Sequence, residues 1–79
     1  MKIKTGNYYS LRNGSKYICY SSDTGTNDIH GAVLTTTGKW DFAIHQKNGD
    51  KFTDELNSEY DIVSEWKEIL IIDNQLNLL

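Results

Sequence analysis

Apolar and polar residues alternate with a two-residue period along much of the first fifty positions, and the pattern changes after Phe52. In KYICYS, Tyr17, Cys19 and Ser21 fall on one face and Ile18 and Tyr20 on the other, as in a strand. KWDFAIHQ alternates too, with Trp40, Phe42 and Ile44 on one face and Asp41, Ala43 and His45 on the other. The odd face is the more polar, so the even face is expected to be core. The apolar run Tyr8–Leu11 and the stretch IHGAVLTT supply two further strands, and Phe52 is expected to begin another short one.

Turn residues separate these runs. Asn13-Gly14 and Asn48-Gly49 are strong hairpin signals, and a type I′ turn is expected at the first, since both residues tolerate positive φ. TTTGKW turns at Gly38, and SSDTGTND reads as a loop. Gly31 inside a strand predicts a bulge, or a place where another backbone or a ligand comes close.

Beyond Phe52 the spacing suits a helix. Ile62, Val63, Trp66, Ile69 and Leu70 share a helical face, and Asn57 or Ser58 can cap it. The isoleucines of ILIID equally favour a strand. The reading is a short helical turn over 61–66, a β-like segment after it, and a tail, DNQLNLL, that packs on a partner chain. The expected fold is therefore mainly β, in one domain over residues 1–79. Four to five antiparallel strands form a small SH3-like barrel or curled sheet, with a short helical segment near the C-terminus. An open sheet with one packed helix is the second choice.

Composition narrows the class of molecule. A chain of 79 residues buries a modest core, and homo-oligomerisation is a common remedy. With Cys19 as the one cysteine no internal disulfide forms, which fits a reducing cytoplasm. The start MKIKTGNYYS lacks the apolar run of a signal peptide, and the cluster ILII is too short to span a membrane. Charge is uneven: residues 1–49 hold six Lys/Arg against three Asp/Glu, and residues 50–79 hold two against eight. An acidic final third repels nucleic acid or imitates it, or is simply a solvated face.

Signatures of catalysis are scarce. Neither a phosphate-binding glycine loop nor a CxxC or HExxH metal motif is present, so no enzyme, cofactor or metal is expected. Cys19 sits mid-strand among apolar residues, where a cysteine is usually inert, although pairing with His30 or His45 is open on sequence alone. His30, at the lip of the loop, either reaches a ligand or bonds a nearby backbone group. Tyr8, Tyr9 and Tyr20 with Arg12 and Lys16 form one aromatic-and-basic grouping. It suits base stacking with a phosphate contact, or ordinary cross-strand pairing.

The order of short words along the chain resembles a group of small proteins common in phages and prophages, largely without assigned function. The words are Tyr9, Arg12, Asn13 and Gly14; Ile29, His30, Gly31 and Ala32; Trp40, Asn48 and Gly49; and Asp61, Ile62, Val63, Glu65 and Trp66. They span roughly residues 3 to 68. Two positions depart from the group: Asn27-Asp28 stands for its tyrosine-proline, and Ile44 for a tryptophan.

The resemblance implies a phage-type accessory protein. By analogy with such proteins, it would be a non-enzymatic counter-defence factor in the host cytoplasm. It would inhibit a host defence protein, as an anti-CRISPR does, or sequester an immune signalling nucleotide, as a sponge does. The sequestering version expects Tyr9, Arg12, Lys16, Tyr20, Thr24, Gly25, Thr26 and His30 around a pocket shared between subunits. The blocking version expects Asp54, Glu55, Glu59 and Glu65 to face a basic groove. A small nucleic-acid-binding barrel is the alternative.

Overall fold

Three hairpins are closed by the same local device. In the first, the Leu11 amide donates to the Ser15 carbonyl at 2.9 Å and the Gly14 amide donates back to Leu11 at 2.9 Å. Thr35–Lys39 and Gln46–Asp50 repeat the pattern, and Gly14, Gly38 and Gly49 all have positive φ, at 89°, 84° and 97°. Each is a three-residue loop in which only the last residue is left-handed, the type I turn with a glycine bulge. Asn13 keeps negative φ, so the expected type I′ turn is not formed. Asn13 and Asn48 instead accept from the amides of Ser15 and Asp50, each at 2.9 Å.

The computed structural model describes residues 1–67. Its strands are β1 (Tyr8–Leu11), β2 (Lys16–Ser21), β3 (Asp28–Leu34), β4 (Trp40–Gln46) and β5 (Ile62–Glu65). They form one antiparallel sheet in the order β4-β3-β2-β1-β5, a four-strand meander whose chain then returns to pair beside β1. The sheet is curled and unclosed, so the curled-sheet form of the expected fold is the one adopted. Among the described residues there is no helix.

The helical turn expected over 61–66 is strand β5 instead. The open edge of β1 is satisfied by backbone bonds from Arg12 to Asp61 at 2.8 Å and from Trp66 to Tyr8 at 3.1 Å. An unpaired strand edge needs a partner, and this demand outweighs a helical spacing of side chains. Phe52 begins no strand, because pairing beyond the third hairpin stops at a single bridge between His45 and Lys51. The β-like segment and tail expected after residue 67 lie outside the described residues.

The core lies on one face of the sheet. It comprises Ile3, Tyr9, Leu11, Tyr17, Cys19, Ile29 and Ile62, with Val33 and Ala43 packed at its border. The N-terminal segment crosses this face, and the Lys4 amide donates to the Tyr9 hydroxyl at 2.7 Å.

Strand β4 reverses the expected assignment of faces. His45 is fully buried opposite Ile29, whereas Trp40 and Phe42 are 42% and 66% exposed. Register explains the reversal: Ile29 and Gly31 of β3 face the core, so their partners His45 and Ala43 must do so too. A buried histidine is acceptable here because His45 Nε2–H donates to the Tyr60 carbonyl at 2.8 Å.

Gly31 marks a close approach. A Cβ at this position would collide with the Ile18 carbonyl oxygen and the Tyr17 phenol ring. The bulge itself lies across the ladder in β2, where Cys19 pairs with Gly31 and Ser21 with His30, leaving Tyr20 extra and exposed.

Candidate functional site

The loop after Ser21 is organised around Asp28. Thr24 Oγ1 lies 2.7 Å from the Asp28 carbonyl oxygen and 2.8 Å from its carboxylate. The Thr26 hydroxyl donates to the same carboxylate, and His30 Nε2 is 2.9 Å from the other oxygen. Bonds from Thr26, His30 and Thr24, in that order, hold the Asp28 carboxyl well below the usual carboxylate range. Gly25, with φ of 82°, lets the chain turn back onto this acid. Thr24, Gly25, Thr26 and His30 do come together, but around an internal carboxylate. An incoming phosphate would meet that negative charge first.

The aromatic-and-basic grouping is dispersed by the fold. Tyr9 is 1% exposed, with its ring in the core, so it cannot stack on a ligand. The Arg12 side chain turns to the segment that leads into β5: Nε donates to the Ser58 carbonyl at 3.2 Å, and Nη2 lies 3.5 Å from Asp61 Oδ2. Lys16 lies on the opposite face of the sheet from Tyr9, with Nζ 4.5 Å from the Tyr8 ring centroid and 5.2 Å from that of Trp66. Tyr20 is exposed on the bulge.

Catalytic use of Cys19 finds no geometric support. The thiol is buried, and burial raises its pKa, which disfavours the nucleophilic thiolate. His45 is buried against Tyr17, with ring centroids 5.0 Å apart and edge-on. Burial lowers its pKa, so the ring is neutral.

The acidic residues are placed differently. The segment from Phe52 to Tyr60 is held at both ends. Lys51 bridges to His45 at one end; at the other, Ser58 and Asp61 are buried and receive Arg12. The Asp61 carboxylate also accepts from the Lys51 amide at 2.8 Å, which closes the base of the loop. Between these anchors Asp54, Glu55 and Glu59 are exposed, and no ion pair joins them to another described residue. Phe52, Leu56 and Tyr60 are exposed beside them, Leu56 at 89%. Glu65 is exposed on β5, apart from this loop.

Sequence reasoning missed Asp61 and Ser58 as the loop's anchors. The signal was present in the arginine of the first word and the aspartate of the last, two opposite charges with no assigned partners. No family model, curated protein or solved structure matches the chain. Among the described residues no cluster of metal-ligating side chains occurs, and no helix is long and apolar enough to cross a membrane.

Proposed function

We propose that this chain is a non-enzymatic counter-defence protein of the phage type. It acts in the host cytoplasm by blocking a host immune component. The contact is the anchored loop carrying Asp54, Glu55 and Glu59, and the target is a basic surface that normally receives nucleic acid. The observation carrying this reading is that these carboxylates are exposed and unpaired among the described residues, with the apolar Leu56 among them. Clustered negative charge speeds encounter with a basic groove, and an apolar side chain at its centre adds contact area. The sequestering version has less support, since Tyr9 and Arg12 are committed to the fold and the Thr24–His30 loop encloses its own acid.

The test is plating of a defence-sensitive phage on cells that express the protein. Changing Asp54, Glu55 and Glu59 to their amides abolishes protection on this reading, while Lys16→Glu leaves it intact. The opposite pattern would restore the sequestering version.

One observation favours the nucleic-acid-binding alternative. Tyr8, Trp40 and Phe42 are exposed on one sheet face close to Lys16, an arrangement on which bases can stack. A salt-dependent shift of labelled single strands, lost in Trp40→Ala, would support it.

A further inference from the structure

The chain carries two Asn-Gly pairs, Asn13-Gly14 and Asn48-Gly49, and the fold sets both in the same kind of turn. Each asparagine accepts at Oδ1 from the backbone amide two residues on, that of Ser15 or Asp50, at 2.9 Å. This contact brings the side-chain amide back towards the glycine peptide, the approach that cyclisation needs. The donated N–H also polarises the side-chain carbonyl and stabilises an oxyanion formed on it.

The surroundings of the two pairs differ. Asn13 and Gly14 are both exposed, and no atom lies within 4 Å of the place a Gly14 Cβ would take. Gly49 is buried. Its carbonyl accepts from the Ile62 amide at 2.8 Å, and the Ile62 carbonyl and the Ile3 side chain close on it. Asn48 Nδ2–H also donates to Asp50 Oδ2 at 3.2 Å, which puts a carboxylate beside the amide and opposes an oxyanion there.

We propose that Asn13 is a self-modification site, converted through a cyclic imide to isoaspartate and aspartate, and that the fold protects Asn48. Hydroxide removes the Gly14 amide proton, which leaves the Leu11 carbonyl in this step. The nitrogen bonds to Asn13 Cγ, and the tetrahedral oxyanion expels Nδ2, which takes up a proton from water and departs as ammonia. Water then opens the imide. Attack at Cγ gives aspartate; attack at the main-chain carbonyl gives isoaspartate, with the chain rerouted through the side chain. The net change is water consumed and ammonia released, and nothing is oxidised or reduced. Isoaspartate adds a backbone carbon inside the turn that the Gly14-to-Leu11 bond closes. The neighbouring Asn13 amide donates to the Glu59 carbonyl at 2.9 Å, so the modification loosens one end of the acidic loop. This inference goes beyond the proposed function and does not depend on what that loop binds.

The test incubates the full chain at mildly alkaline pH, folded and in urea. Peptide mass spectrometry follows both sites, with fragmentation that separates isoaspartate from aspartate. In urea the two pairs convert at comparable rates. In the folded chain Asn13 converts roughly tenfold or more faster than Asn48. Cleavage after Glu59 by a glutamate-specific protease rises with the isoaspartate fraction. Asn13→Ser keeps a hydroxyl acceptor in the turn and cannot cyclise, so its cleavage does not change on incubation. Conversion of Asn48 as fast as that of Asn13 in the folded chain overturns the inference. So does a folded chain in which neither converts over the time both convert in urea. Cleavage that rises equally in Asn13→Ser, or that ignores the isoaspartate fraction, overturns the link to the loop.

Discussion

Arg12 and Asp61 meet at 3.5 Å, and this contact joins the first hairpin to the residue that leads into β5. Asp61 is 5% exposed, and its carboxylate also accepts from the Lys51 amide. Removing it leaves the part-buried Lys51 amide without this partner and frees the base of the acidic loop. Asp61→Ala is expected to cost about 2–4 kcal/mol and Arg12→Ala about 1 kcal/mol, since the guanidinium is partly solvated. Urea unfolding of the two variants checks the order. Arg12 reversal is thus a stability variant, which is why Lys16 is the informative charge reversal for function.

Gly31 sits where a side chain has no room. Gly31→Ala drives a methyl group into the Ile18 carbonyl, a backbone atom that cannot step aside. The expected loss is about 2 kcal/mol or more, which lowers the melting temperature of so small a domain by roughly 10 °C. Adding Tyr17→Phe removes only the hydroxyl part of the collision, so the double variant should stay destabilised. Thermal melts of both variants decide this.

Tyr17 offers a prediction of opposite sign. Its hydroxyl is buried and has no hydrogen-bond partner among the described residues. Replacing an unsatisfied buried group by an apolar one of the same shape is neutral or favourable. Tyr17→Phe alone should therefore leave stability unchanged or raise it by up to about 1 kcal/mol, measured by urea unfolding.

His45 makes stability depend on pH. Burial lowers its pKa below the ordinary 6.5, so the folded chain holds the neutral ring. The unfolded chain takes up a proton first as pH falls. Stability is therefore full above about 6.5 and declines below it, with a slope of up to about 1.4 kcal/mol per pH unit, until the folded-state pKa is reached. Asp28 contributes in the same direction, but only below its ordinary 3.8, because its carboxyl is also lowered. Unfolding midpoints between pH 7 and pH 5 should fall for the native chain, and fall less for His45→Gln.

Much of the fold was legible because strands carry a two-residue signature. KYICYS and KWDFAIHQ were read as strands from alternation, and Tyr8–Leu11 as an apolar run ended by the Asn13-Gly14 turn; all three hold strands. The face buried by β4 was not legible. Local polarity favoured Trp40 and Phe42 as core, but register with Ile29 decides the matter, and a carbonyl fifteen residues away accommodates His45. β5 was hidden for a similar reason: its spacing suits a helix, while the vacancy it fills belongs to β1. At the site, grouping by sequence proximity failed for Tyr9, since adjacent strand residues point to opposite faces, and for Arg12, whose side chain leaves the hairpin loop for Ser58 and Asp61. Of the four acids grouped in the sequence, Asp54, Glu55 and Glu59 share one loop, whereas Glu65 lies apart on β5.

The measurement that tests the functional account most directly is phage plating on defended cells expressing the native chain, the Asp54→Asn, Glu55→Gln, Glu59→Gln variant, or Lys16→Glu, with folding of each verified by unfolding curves. The account predicts protection by the native chain and by Lys16→Glu, and none by the neutralised loop. Protection that survives neutralisation of the loop, or vanishes with Lys16→Glu alone, would contradict it.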